Sequence, residues 1–205
     1  MSILLNLLLV VLIIGVFAAL MREGLWSNAI TLVNVLTAAL LATDFYQSLA
    51  DWLTIKVPQG KYFWDFAMLW ILFAVILLAL RTATDRISRV KVRFLKPVEM
   101  VGGYLFGLWT AWIFVCFLTM TLHTAPLGRD FLFGGFKPEK RLLFGAAPDR
   151  VWLAFAQRMS RGPFKRRSFD IAPERYTFDY DATFIPRYAS RRKRYENSKD
   201  IFAKD

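Results

Sequence analysis

The chain holds one histidine, His123, and one cysteine, Cys116, which limits nucleophilic and metal chemistry from the start. A Ser-His-Asp relay needs an imidazole held between a hydroxyl and a carboxylate on a folded scaffold. His123 is the sole candidate base, and it stands at the mouth of a long apolar run, where an interfacial polar role is the simpler reading. Metal sites need clusters of His, Cys or carboxylate ligands, and no such spacing occurs here. Cys116 reads as a small buried or lipid-facing residue, and one cysteine cannot form an intrachain disulfide. Gly102-Gly103 lie inside an apolar run and not after a strand, so they make no phosphate-binding loop. No catalytic residue, cofactor or metal is expected, and the chain reads as non-enzymatic.

Two basic clusters remain, Lys165-Arg166-Arg167 and Arg191-Arg192-Lys193-Arg194. Both could bind phosphate polymers. Beside a membrane, anionic lipid or cell-wall polymer fits them better than nucleic acid, and a solvated basic tail with no specific ligand is the plain alternative.

The elements that must position these groups are apolar. Four stretches, Ser2–Met21, Leu25–Thr43, Tyr62–Leu80 and Val98–Leu122, each approach the roughly 20 apolar residues that carry a helix across a bilayer. Hydrophobic residues make up 56% of the 205 positions and mean hydropathy is +0.38. The average hides a split, because residues 123–205 carry 18 of the 27 bases and 10 of the 16 acids. The expected fold is an all-α membrane protein with four transmembrane helices, a short outer amphipathic helix and a basic, partly helical tail. The expected divisions are a membrane block at 1–124, an extramembrane segment at 125–187 with one amphipathic helix near 148–160, and a disordered end at 188–205. Met1-Ser2 carries no base, and Leu20-Met21-Arg22-Glu23 offers no clean small-x-small cleavage site, so the first stretch reads as a retained helix.

Short cytoplasmic loops are rich in Lys and Arg. Residues 81–97 hold Arg81, Arg86, Arg89, Lys91, Arg93 and Lys96 against Asp85. That places this loop and the Arg22–Gly24 turn inside and both termini outside. Arg129, Lys137, Lys140 and Arg141 pull the other way, but long segments translocate largely regardless of charge. The six bases of the loop read as contacts to anionic headgroups.

Helices in lipid associate through small residues and a few hydrogen bonds. Gly103, Gly107 and Ala111 form one such stripe, Gly15 and Ala19 a second, and Ser27, Thr31, Asn34 and Ala38 a third. These stripes are expected to meet inside the bundle. Asp65, among Tyr62, Phe63 and Trp64, reads as a wet residue of an interfacial belt. In residues 44–55, Phe45, Leu49, Trp52 and Leu53 share a helical face, capped by Asp44 and broken at Val57-Pro58-Gln59-Gly60. This segment is expected to lie on the outer surface. Beyond Pro148-Asp149, a helix with Val151, Trp152, Phe155 and Met159 as its apolar face should run to Gly162-Pro163.

Three features in this order, Arg22-Glu23-Gly24-Leu25-Trp26, Phe45-Tyr46-x5-Trp52-Leu53 and Val101-Gly102-Gly103-Tyr104-Leu105-Phe106-Gly107-Leu108, resemble the CvpA family, the colicin V production proteins of bacterial inner membranes. The likeness covers about residues 1–125. It departs from the family pattern where Asn28 replaces a frequent carboxylate, where Pro97-Val98-Glu99 replaces an Asp-Arg pair, and where Trp109-Thr110 replaces an Arg. The resemblance implies a non-enzymatic inner-membrane protein supporting toxin production or export, or envelope maintenance, as a scaffold or assembly factor. Its expected partners are the bilayer and either copies of itself or a membrane complex. Two other readings stand beside it: a small oligomeric channel or transporter lined by the polar face of the second span, and a basic anchor that recruits a partner through the 148–160 helix.

Overall fold

The computed structural model describes residues 2–88, 94–128, 131–134, 136–162 and 177–202. These residues are helical, with no strand among them. Four helices are long and apolar enough to cross a membrane: α1 (Ser2–Leu20), α2 (Leu25–Lys56), α3 (Trp64–Ile87) and α4 (Lys96–Thr124). 3-10 turns at Pro58–Gly60 and Leu143–Gly145, a short helix α5 (Phe131–Gly134), α6 (Pro148–Arg161) and α7 (Phe184–Phe202) are the other elements among the described residues.

The helix ends follow local chemistry. Gly24, in extended conformation, separates α1 from α2, and the Asn28 N–H bonds back to its carbonyl. α2 stops where Pro58 can no longer continue it, with the Val57 N–H on the Leu53 carbonyl. Pro97 opens α4 and Pro148 opens α6, both in the first turn, where a missing N–H costs nothing. Gly162 closes α6, as the sequence suggests.

Residues 44–55 do not form a separate helix. They continue α2, which at 32 residues is about 48 Å long and overshoots a hydrocarbon core of about 30 Å. No glycine or proline interrupts the chain before Pro58, so nothing in the sequence ends the second span near Thr43. Phe45, Leu49 and Trp52 point outward from this extension, while Thr43, Tyr46 and Ala50 are buried.

α2 packs against both α3 and α4, while α1 packs against α4, α5 and the 3-10 turn at Leu143–Gly145. Fully buried Ala38, Ala39 and Ala42 let α2 approach closely. A main core joins them to Leu69, Phe73, Cys116, Phe117 and Met120, and extends without a break into Trp152, Leu153, Phe184 and Tyr188 of α6 and α7. A second core places Leu5 and Leu9 of α1 against Val115, Phe136, Leu142 and Leu143. The C-terminal segment is therefore a clasp folded onto one end of the four-helix block.

The stretch from Tyr188 onward is not a disordered tail as far as Phe202; it is the body of α7. Phe184, Tyr188, Arg191, Arg192 and Tyr195 recur at helical spacing and give this charged helix one docking face.

Candidate functional site

Two regions gather polar groups, one at each end of the block. At the end bearing the Arg22–Gly24 turn, α4 reaches the α1–α2 connection through glycine. A side chain at Gly103 would meet the backbone of Glu23 and Leu25, and one at Gly107 would meet Asn28, Leu20 and Phe17. Asn28 is fully buried, and its Nδ2 donates to the carbonyls of Gly103 (2.9 Å) and Leu20 (3.1 Å). Gly24 lies against the Glu99 carboxylate, so the residue at one departure from the family pattern meets the turn directly. Arg22, Glu23 and Lys96 line the same shallow surface.

The stripes expected from the sequence meet this region unevenly. Gly103, Gly107, Ala111, Asn34 and Ala38 are buried, while Ser27 and Thr31 are half-buried. Gly15 and Ala19 are exposed, and a side chain at Gly15 would touch nothing. In a helix apolar on every side, small size does not select the packed face. α1 instead turns Leu5, Leu9 and Phe17 inward.

Beside this junction lies a cavity of about 570 Å3 between α1 and α3, floored by α2 and α4. Val16, Phe73, Ala74, Leu77 and Phe114 give it apolar walls, and Ser27, Arg81, Thr84, Asp85 and Ser88 give it one polar end. The Trp26 indole donates to the Ser88 hydroxyl at 2.7 Å, and Asn34 Nδ2 donates to the Thr84 hydroxyl at 3.0 Å. The Trp70 indole N–H is buried without a partner among the described residues. Of the six bases assigned to headgroups, Arg81, Arg86 and Lys96 are exposed. Arg89, Lys91 and Arg93 lie outside the described residues, as do Lys165, Arg166 and Arg167.

At the opposite end, the clasp is fixed by polar contacts that local sequence did not reveal. Asp65 is not wet; it is 6% exposed and accepts from the Tyr188 hydroxyl at 2.8 Å and from Arg191, which also donates to the Lys61 carbonyl. The Tyr188 and Tyr46 hydroxyls are 3.1 Å apart. Burial, reinforced by the neighbouring Tyr46 and Asp65, pushes the Tyr188 hydroxyl well above the usual phenol value. Arg192 donates to the Phe136 carbonyl at 3.0 Å, and burial pulls its guanidinium below its ordinary value. Two bases of the Arg191–Arg194 run thus serve the fold.

His123 is likewise buried within the protein. It is 2% exposed, and its Nε2 lies 3.0 Å from Asp149 Oδ2 in the first turn of α6. The edge of the Phe136 ring covers it at 5.2 Å between centroids. Nδ1 has no partner among the described residues, so no hydroxyl or thiol there is placed for nucleophilic attack. The pair ties α6 to α4. The Trp152 indole adds a bond to the Thr43 hydroxyl at 3.1 Å, and the ring packs on Phe117. Asn6 Oδ1 accepts from the Leu143 N–H at 2.9 Å and links α1 to the loop before α6. The Asp149 and Arg191 partners are 26 and 126 residues away in sequence, beyond any periodicity.

α6 spans the residues expected, and Trp152 is buried as read, with Leu153 and Ala156 beside it. Val151, placed on the apolar face by spacing, is instead 45% exposed. The trace of α6 rotates to present Asp149 to His123, which carries Val151 outward. Asp179 Oδ1 accepts from the Thr183 and Phe184 N–H groups, both at 2.9 Å, and starts α7. Burial holds its carboxyl above 3.8, against the opposing pull of those two N–H groups.

Among known families, the model described as Colicin V production protein matches residues 5–133. No curated protein and no solved structure matches the chain.

Proposed function

Since the chain belongs to the colicin V production protein family, we propose that it acts as a non-enzymatic scaffold or assembly factor of a bacterial inner membrane, supporting toxin production or export or envelope maintenance. The observation that carries this reading is the clasp. Asp65, Thr43 and His123, each buried, are all spent on holding α6 and α7 against the helical block. Burying polar groups of this kind is costly, and here each pairs with a group on another element, which fixes a shape. A rigid extramembrane platform on a lipid-embedded base is what an assembly factor needs. Among the described residues no group of three potential metal ligands occurs.

In this reading both termini and the clasp face outward, and the 81–97 loop, with its excess of bases, faces the cytoplasm. The platform serves a membrane complex, whose other subunits dock on the clasp. A channel would have to form between copies, because the rings of Trp70, Phe73, Phe114 and Phe117 fill the space between α3 and α4 within one chain.

The test is recovery of the protein from native membranes in several mild detergents, with identification of what accompanies it. The expected result is a defined heterologous partner that is lost when residues 143–205 are deleted. Recovery of the chain alone in every detergent contradicts the proposal.

A further inference from the structure

We propose that the cavity between α1 and α3 is a binding site for one anionic phospholipid of the leaflet that holds the Arg22–Gly24 turn. An acyl chain would lie along Phe73, Leu77 and Phe114, and the phosphate would sit at Arg81. The inference stands apart from the scaffold reading and needs no partner protein.

The first observation is depth. The lining comes from the last turns of α1, the first turns of α2, α3 from Trp70 to its C-cap Ser88, and the middle of α4. The apolar wall on α3 runs from Trp70 to Arg81, 11 residues or about 16 Å along the axis, and the polar end continues beyond it to Ser88. That matches one leaflet of a hydrocarbon core about 30 Å thick. In the other half α1 turns Leu5 and Leu9 against Val115, Phe136 and Leu142, and no residue there lines the cavity. A partner helix crosses both leaflets and would need a groove of full depth. A lipid occupies one.

The second observation is the order of the chemistry along that depth. The deep end, around Trp70, Phe73 and Phe114, is mostly aromatic and aliphatic, and the mouth carries Ser27, Arg81, Thr84, Asp85 and Ser88. This is the polarity of a lipid, tail inward and head at the interface. The volume, about 570 Å3, falls within the range of about 300–1,000 Å3 typical of small-ligand sites.

The third is charge. The Arg81 guanidinium stands 4.0 Å from Asp85 with both side chains about 70% exposed, a pairing that water screens. Arg81 and Arg86, both exposed, outnumber Asp85 at this end of α3. A basic mouth at headgroup level favours an anionic lipid over a zwitterionic one. The Trp26–Ser88 hydrogen bond joins the start of α2 to the end of α3 and holds the mouth in shape.

The experiment uses the full-length protein in mild detergent, with phosphatidylglycerol, phosphatidylcholine and palmitate offered separately and lipid retention counted by native mass spectrometry. The expected result is one phosphatidylglycerol per chain, with weaker retention of the other two. Arg81→Gln should reduce phosphatidylglycerol binding about fivefold, the effect of one interfacial base. Ala74→Trp, which fills the cavity from its wall, should abolish retention, while Ala79→Trp on α3 outside the cavity should preserve it and report that the helix tolerates a tryptophan. Equal retention of phosphatidylglycerol and phosphatidylcholine overturns the proposal. Palmitate binding as tightly as phosphatidylglycerol overturns it in favour of single-chain carboxylates. Unaltered retention in Ala74→Trp also overturns it. A lipid-free wild type whose dimer is split by Ala74→Trp would give the groove to a second copy and overturn it as well.

Discussion

Asn28 Nδ2 lies 2.9 Å from the carbonyl oxygen of Gly103, joining the first turn of α2 to α4 across the glycine that lets the two backbones meet. An ionised carboxylate has no donor, and here the surrounding acceptors are the carbonyls of Leu20, Glu23 and Gly103. Asn28→Ala should cost about 1 kcal/mol, the scale of a hydrogen bond between membrane helices. Asn28→Asp should cost more at neutral pH, because it sets a charge against carbonyls. Gly103→Val should exceed both, since its side chain would press on the backbone of Glu23. Gly102→Ala should be milder, because the atom in its way is the mobile end of Leu25. Thermal unfolding in detergent orders the four, and Asn28→Asp as stable as wild type would contradict the assignment.

The His123–Asp149 pair predicts local loosening of the clasp. Asp149→Ala leaves the buried His123 Nε2 without its partner, a loss of about 1–3 kcal/mol. Amide hydrogen exchange in α6 should rise about tenfold or more, while exchange in α2 stays unchanged. The double variant His123→Ala/Asp149→Ala should be no worse than the poorer single, because the two groups share one interaction. Additive losses would show that the residues act separately.

Asp179 gives a pH dependence with a definite sign. Its carboxyl titrates above 3.8 in the folded chain because burial disfavours the charged form. The stabilising contribution is complete below 3.8 and is lost as the pH rises through the higher folded value. Asp179→Asn keeps an acceptor for Thr183 and Phe184 without the charge, so its stability relative to wild type should improve as pH rises from 3.8 and then level off. Asp179→Ala should lose about 1 kcal/mol through the missing cap. Melting temperatures across a pH series test this, and a relative decline of Asp179→Asn with rising pH would refute it.

Phe144 is 69% exposed and holds a left-handed backbone at φ 52°, between Leu143 at 51° and Gly145 at 100°. This conformation costs a side-chain-bearing residue about 1–2 kcal/mol. An exposed phenyl ring recovers little of that by burial, so Phe144→Gly should raise stability by about 1 kcal/mol. If stability falls instead, the ring is packed in the membrane-embedded protein. A gain in stability together with loss of the co-purified partner would place Phe144 in the docking surface.

The spans were legible because each is an apolar run bounded by Gly24, Pro58, Pro97 or Pro126. Those breakers stand where the helices stop or start, and Gly162 stands where α6 ends. The failures share a cause. Asp65 and His123 look like interfacial residues beside their neighbours in sequence, and they are buried by partners from α6 and α7. α7 reads as a charge run, yet its arginines and lysines are good helix formers and its Phe184–Tyr188–Tyr195 spacing was the available signal. Gly103 and Gly107 are buried while Gly15 and Ala19 at the same spacing are exposed, because small-residue spacing records where helices could approach and not which side a neighbour occupies.

The clasp as a docking platform is tested most directly by photocrosslinking in native membranes, with a photoreactive residue placed in turn at exposed Phe144 and Val151 and, for reference, at Val33 on the exposed side of α2. The account predicts a discrete adduct with a different protein from the clasp positions and lipid adducts from Val33. Lipid or self-adducts alone at all three positions would contradict it.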